Sequence, residues 1–287
     1  MKLYKKTLKT GYATCSALGV LLAVGFLGAP VLGQTNDLQL PDFLGFATNG
    51  SGVYGRIHPT KVAWSEWGLN DPNRPAPKRV DPGPAGPPAP VPADAIVLFD
   101  GKDLNQWQPT DSTNFTIEDG CLVAAVKSKV NLLTKQEFGS AQIHLEWMDP
   151  ADFHTQWDDR GNNGVLLLGA YEIQIFDSYN EKIYPDGQCA SVYDETPPLV
   201  NVTRPPGQWQ TYDIFFTAPE FDNGKVVKPG RVTMLHNGVL VQLDTEIHSQ
   251  RKPRSVPSEG RLTGKGPLGL APHDCPVRFR NIWVRPL

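Results

Sequence analysis

Tyr171-Glu172-Ile173-Gln174-Ile175-Phe176-Asp177-Ser178 begins with an alternating run: Tyr171, Ile173 and Ile175 fall on one side, Glu172 and Gln174 on the other. Successive side chains of a strand point to opposite faces, so this stretch predicts a sheet with one packed face and one chemically equipped face. A carboxylate and an amide side by side suit sugar hydroxyls. Taken alone, the stretch reads first as a half-exposed strand with ordinary polar residues, and its neighbours shift that balance.

Outward from it, the same alternation recurs. In Gln142-Ile143-His144-Leu145-Glu146-Trp147 the apolar set is Ile143, Leu145 and Trp147, with His144 and Glu146 opposite. In Thr211–Phe216, Asp213 opposes Tyr212, Ile214 and Phe216, and in Val277-Arg278-Phe279-Arg280 the two arginines oppose Val277 and Phe279. Further short strands are expected at 96–99, 114–117, 121–126, 164–168, 231–235 and 239–243, separated by Asp100-Gly101, Asp119-Gly120, Asp222-Asn223-Gly224 and Asn237-Gly238. Asn-Gly between two β-rich runs is a strong hairpin signal. No segment shows a long helical period. The pattern predicts an all-β domain, an antiparallel β-sandwich of the jelly-roll kind, over residues 95–287.

The N-terminus reads differently. Lys2, Lys5, Lys6 and Lys9 precede an apolar run, Ala17–Leu27, and the small residues of Val31-Leu32-Gly33. This order reads as a secretory signal peptide over 1–33, cleaved before Gln34, which predicts an exported, periplasmic or extracellular protein. An uncleaved anchor is the rival reading. Cleavage takes Lys+Arg from 27 to 23 against 30 Asp+Glu, so the mature chain is near −7, an unsuitable balance for a nucleic-acid partner. No second long apolar run follows, so the mature chain is expected to be soluble. Residues 34–71 form an irregular extension with Phe43, Phe46, Tyr54, Trp64 and Trp67, whose tryptophans read as packing residues. Nine prolines then fall between Asp71 and Ala93, and residues 72–94 read as an extended, semi-rigid linker. Of the cysteines left after cleavage, Cys189 and Cys275 are the expected pair if a disulfide forms, with three buried thiols as the alternative.

If some of the alternating strands are neighbours, their polar faces gather carboxylates, an amide, arginines and an imidazole. The candidate catalytic residues are Glu172, Glu146 and the loop histidine His273. The candidate substrate-binding residues are Gln174, Asn163, Arg278, Arg280, Trp157 and Asp177, with Asp158, Asp159 and Arg160 in a charged rim loop. Such a face also suits a divalent cation, calcium or manganese, although no ligand spacing points to one.

Several segments resemble the 3-keto-disaccharide hydrolase domain family: Leu98-Phe99-Asp100-Gly101-Lys102-Asp103-Leu104-Asn105-Gln106-Trp107, Glu146-Trp147, Asn162-Asn163-Gly164-Val165, Tyr171–Ile175 with Asp177-Ser178, Pro206–Asp213, and His273 followed by Pro276–Trp283. The resemblance covers about residues 95–287. It implies a concanavalin-like jelly roll, export from a bacterial cell and a hydrolase acting on oxidised glycosides. Two departures stand out. Ala271-Pro272 occupies the place where relatives often show Gln-Asp, which removes a carboxylate, and Asn162-Asn163-Gly164 stands for Asn-Ser-Gly. A non-catalytic carbohydrate-binding module is the competing reading. An ordinary retaining β-glucanase is disfavoured, because the strand Glu172, Gln174, Phe176 lacks a second glutamate.

Overall fold

The computed structural model describes residues 40–128, 130–152, 160–223, 225–248 and 264–287. These belong to one compact unit, Gln39–Leu287. The expected signal peptide, Trp157, Asp158 and Asp159 lie outside the described residues. The extension contributes β1 (Leu44–Phe46), β2 (Tyr54–Arg56) and β3 (Lys78–Arg79). The domain adds β4 (Ile96–Phe99), β5 (Phe115–Glu118), β6 (Cys121–Ala124), β7 (Leu132–Phe138), β8 (Ala141–Met148), β9 (Asn163–Leu167) and β10 (Tyr171–Ile175). It continues with β11 (Val200–Asn201), β12 (Gln210–Thr217), β13 (Glu220–Asp222), β14 (Lys225–Lys228), β15 (Gly230–His236), β16 (Val239–Ile247), β17 (Gly266–Pro272) and β18 (Arg278–Pro286). No helix among the described residues is long and apolar enough to cross a membrane.

Two antiparallel sheets form a sandwich. The eight-stranded sheet runs β16-β15-β12-β8-β18-β6-β5, with β4 also paired to β18, and the four-stranded sheet runs β10-β9-β17-β7. The hydrophobic members of the alternating strands point between them: Ile143, Leu145, Trp147, Tyr212, Ile214 and Phe279 from the large sheet are at most 3% exposed, and Val165, Ile173 and Ile175 from the small sheet are fully buried. Ile143, Phe216 and Val284 share a small apolar cavity with Leu167 and Leu268, so the two inner faces meet. Burying each such side chain contributes roughly 1.5–3 kcal/mol, and this interlayer is the main source of stability.

The hairpin signal at Asn237-Gly238 is realised as expected. Both residues have positive φ (53° and 78°), the geometry of a tight type I′ hairpin between β15 and β16. Two strands of the small sheet escape the alternation. β17 reads Gly-Pro-Leu-Gly-Leu-Ala-Pro, a composition poor in strand formers, and β7 carries Lys135, Gln136 and Glu137 in succession, all exposed.

Residues 72–94 are extended, yet they are not a free spacer. β3 pairs in parallel with β11, and the Val80 amide donates to the Asn201 carbonyl at 2.9 Å. Arg204 donates to the carbonyls of Gly83 (2.9 Å) and Pro84 (3.3 Å). The Ala89 amide donates to Glu146 Oε1, and Asn281 Nδ2 donates to the Ala89 carbonyl, both at 2.9 Å. Proline has no N–H, so a proline-rich strand must be held largely through its carbonyls, and arginine and asparagine side chains supply the donors. The segment is a strap across the outer face of the large sheet. The aromatic extension is likewise docked, and Trp64 is 40% exposed and stacked on His248 at 5.1 Å rather than packed in a core. No disulfide joins Cys189 and Cys275. The Cys189 thiol lies 2.8 Å from Tyr212 Oη, and burial pushes its pKa up to about 12, so it is an inert core thiol.

Candidate active site

Strand pairing gathers one part of the expected site on the small sheet. Glu172 is opposite Leu166 and Gln174 opposite Gly164 in the β10–β9 ladder. Gly164 is opposite Ala271, and Leu166 opposite Gly269, in the β17–β9 ladder. Residues directly opposite share a face, so Glu172, Gln174, Gly164, Ala271 and Gly269 all lie on the side away from the core. His273 leaves β17 one residue beyond Pro272, at the end of the sheet where Pro272 pairs with Asn163. Gly164, Gly269 and Ala271 share this face with the buried Leu166, and Glu172 lies over Gly164. A Cβ placed on Gly164 would sit 2.5 Å from Glu172 Oε1 and 2.7 Å from its Cγ. Glycine is therefore required here for Glu172 to hold its position. Gly164→Ala is expected to displace the carboxylate and lower kcat/KM by at least about tenfold. Circular dichroism should show the sheet unchanged in the same variant.

The free edge of β10 is closed by the loop 185–196. The Tyr193 amide donates to the Glu172 carbonyl at 3.0 Å, the Gln174 amide to Ser191 O at 3.0 Å, and the Ala190 amide to Gln174 O at 2.9 Å. Tyr212 Oη reaches through the core to the same Gln174 carbonyl at 2.6 Å. The Gln174 side chain is 1% exposed and donates to Gly187 O at 3.3 Å. Through Nε2 it clamps the loop to the strand.

Asp177 is also committed. Its Oδ2 is 2.6 Å from Arg160 Nη2, its Oδ1 accepts from the Tyr179 amide at 3.1 Å, and Arg160 Nε lies 3.5 Å from Glu181 Oε2. Beside this network burial, reinforced by the charge of Asp177, raises the Asp149 pKa well above the carboxylate range, against a smaller opposite pull from Arg160. Asn163 shares the inward parity of Val165 and donates to the Asn162 carbonyl at 2.6 Å, so it braces the end of the strand.

The other part of the expected site lies elsewhere. Arg280 is opposite Glu146 in the β18–β8 ladder, and Asp213 is opposite His144 in the β12–β8 ladder. These residues occupy the outer face of the large sheet, across the sandwich from Glu172. Glu146 is 1% exposed and fully engaged: Arg280 Nε donates to its Oε2 at 2.7 Å, while Asn281 Nδ2 and the Ala89 amide donate to its Oε1, both at 2.9 Å. His144 Nε2 is 3.6 Å from the same Oε1, and its Nδ1 is 2.7 Å from Asp213 Oδ1. The Arg280 guanidinium stacks over Trp209 at 3.8 Å.

Burial works against the Glu146 charge, yet His144, Asn281, Arg280 and the Ala89 amide overcome it and hold the pKa at about 2. Burial likewise opposes the His144 charge, and Asp213 and Glu146 outweigh it, lifting its pKa to about 8. A roofed, saturated carboxylate this acidic is no base for substrate. Arg278 stands on the same large sheet, 3.5 Å from Glu118 and 3.7 Å from Asp119. The expected union of Glu146, Glu172 and His273 in one hollow is therefore corrected. Glu172 and His273 belong to the small sheet, and Glu146, Arg278 and Arg280 to the large one. Periodicity shows which side of a strand is polar but not which sheet the strand joins.

Sequence reasoning missed Asn281, Trp209 and the loop 185–196. Asn281 has φ of 50° at a register shift between Arg280 and Trp283, a bulge that no local motif announces. Among the described residues no three His, Cys, Asp or Glu side chains are gathered to hold a metal ion.

Residues 94–285 match the 3-keto-alpha-glucoside-1,2-lyase-like domain family. A "putative glycosyl hydrolase" from Parabacteroides distasonis ATCC 8503 is similar at 40% identity, over 69% of this chain and 85% of that one, with a TM-score of 0.63. A second protein of the same description and organism matches at 23% identity, over 67% of this chain and 99% of that one, with a TM-score of 0.49. No curated protein matches. The sandwich described above is that of a glycosyl hydrolase-like, carbohydrate-active domain. The chain belongs to the 3-keto-alpha-glucoside-1,2-lyase-like domain family.

Proposed function

We propose that the protein is an exported enzyme that cleaves the glycosidic bond of 3-keto-glycosides, by elimination followed by hydration, with Glu172 as the base. The observation that carries this reading is the partly exposed Glu172, whose carboxylate lies over Gly164 on the outer face of the small sheet, at a face that ends beside His273. The matched family is itself described as 1,2-lyase-like toward 3-keto-α-glucosides.

The chemistry follows from the ketone. A carbonyl at C3 acidifies the proton on C2. Glu172 takes that proton, and the electron pair becomes an enolate whose oxygen accepts a hydrogen bond from the His273 imidazole. Collapse of the enolate forms the C1–C2 double bond and expels the C1 oxygen, which leaves with a proton. Water then adds hydroxide at C1 and a proton at C2, giving the free 3-keto sugar. A positioned general base contributes roughly 10²–10⁴-fold, and donors aimed at the developing charge add to it. The test is release of free sugar from a 3-keto-glucoside by the wild-type protein, set against the Glu172→Gln variant. Equal turnover by both would remove the assignment.

Export is inferred from the basic and apolar N-terminus. N-terminal sequencing of protein recovered from outside the cytoplasm is expected to begin at Gln34. A retained Met1 on the exported protein would contradict cleavage there.

A further inference from the structure

Residues 40–93 precede the stretch that matches the family, which starts at residue 94, yet they are fastened to the loop that backs Glu172. The fastening converges on Asn70, which is 3% exposed. All four of its polar groups are used. Its amide donates to Asp186 Oδ2 at 3.0 Å, and its Nδ2 donates to Asp194 Oδ1 at 2.7 Å. Its Oδ1 accepts from Arg56 Nε at 2.8 Å, and its carbonyl accepts from the Arg56 amide at 2.9 Å. Arg74 adds a bond from Nη1 to Glu195 O at 2.8 Å and sits 3.9 Å from Asp186 Oδ2. β2 contributes the Tyr54 amide, which donates to Lys182 O at 2.9 Å.

The receiving loop is under backbone strain. Ala190 and Asp194 both adopt left-handed φ values, 67° and 62°, and Asn70 itself has φ of 58°. Asparagine and aspartate tolerate that region through local hydrogen bonds, whereas alanine stays there only where its surroundings hold it. Asp194 is held by Asn70 and Asp186, since its amide also donates to Asp186 O at 3.1 Å, and Ala190 is held by Gln174 O at 2.9 Å and by Gln242 Nε2, which donates to its carbonyl at 3.0 Å. The same loop bonds β10 at both Glu172 and Gln174, and Val192 bridges to Ile173. Hydrogen bonds from the extension to Asp186 and Asp194, continued through the loop backbone to the Tyr193 amide, thus reach the backbone that carries Glu172.

We propose that the N-terminal extension is an integral part of the catalytic unit, with Asn70 and Asp186 as positioning residues that set the placement of Glu172; this rests on the Glu172 reading above. Neither residue touches substrate. Their loss lets the loop relax out of its left-handed turns and releases the edge of β10, so chemistry suffers more than binding.

The experiment uses the full mature chain with Asn70→Ala, Asp186→Ala and Asp186→Asn, a 3-keto-glucoside as substrate, and amide hydrogen exchange. Asn70→Ala and Asp186→Ala are expected to lower kcat by about 10- to 100-fold with KM within about twofold, because a misplacement on the order of 1 Å is enough for that. Asp186→Asn keeps an acceptor for the Asn70 amide and is expected to restore most of kcat. In Asn70→Ala, exchange at the amides of Gln174, Ala190 and Tyr193 should quicken while that of β8 and β12 stays slow. Wild-type kcat in Asn70→Ala, or exchange that quickens throughout the molecule with kcat per folded molecule unchanged, would overturn the proposal. If the wild-type protein itself fails to turn over the substrate, the Glu172 reading falls. Exchange then decides the brace: local quickening at those three amides keeps it, and unchanged exchange removes it.

Discussion

Glu172→Gln is expected to lower kcat on a 3-keto-glucoside by roughly 10²–10⁴-fold while leaving the fold and the melting temperature nearly unchanged. The change swaps one carboxylate oxygen for an amide nitrogen with almost no change of shape. Glu172 is only partly buried, on the solvent side of the small sheet, so a stability change within about 0.5 kcal/mol is expected for so small an alteration. Its carboxylate shares a face with Gly164, Leu166 and Ala271, on the side of the small sheet away from the large one. Loss of activity without loss of structure is the signature of a group used in chemistry. Kinetics and a thermal melt on the same preparation check both halves.

Glu146→Ala is expected to behave in the opposite way: a large loss of stability with activity per folded molecule retained. Removing one member of a buried ion pair strands its partners, and the typical cost is about 3–5 kcal/mol. Here Arg280, Asn281, His144 and the Ala89 amide all lose the acceptor they share. For a chain of this size the melting temperature should fall by on the order of 10 °C. The strap loses its main anchor in the same step, so its hydrogen exchange should quicken.

The cluster also gives stability a pH window. His144 has its pKa raised from 6.5 to about 8, so its contribution is whole below 6.5 and is lost as pH rises through about 8. Glu146 has its pKa lowered from 4.5 to about 2, so its contribution is whole above 4.5 and is lost as pH falls through about 2. Between these limits His144 and Glu146 form a charged pair beneath the strap. A drop in activity without a drop in stability on Glu146→Ala would return Glu146 to the catalyst.

The fold was legible where residues speak locally. The alternation of β8, β10 and β12 identified the inward faces, and Asn237-Gly238 identified a hairpin whose residues both carry positive φ. Legibility ended where distant segments meet. Glu146 and Glu172 look alike on paper, each a carboxylate opposite apolar partners, and only the pairing of β8 with β12 and β18, and of β10 with β9, separates them onto two sheets. The strap's grip on Ala89 and the four bonds of Asn70 were hidden for the same reason. The bonds from Ala89 to Glu146 and from Asn70 to Asp186 and Asp194 join residues 40–93 to partners more than fifty positions away, with no motif at either end. Strand β17 was hidden by its composition: its glycines, alanine and prolines are the residues that weaken a strand signal.

Elimination followed by hydration places one solvent hydrogen on C2 of every sugar released. Cleavage of a 3-keto-glucoside by the wild-type protein in heavy water, sampled during the first turnovers and corrected for uncatalysed exchange of the product, reads this out. The mechanism built on Glu172 predicts deuterium at C2 of the released 3-keto sugar in near-stoichiometric amount, at a rate that collapses in Glu172→Gln. Released sugar that retains its original C2 hydrogen, formed at the same rate by both proteins, would contradict it.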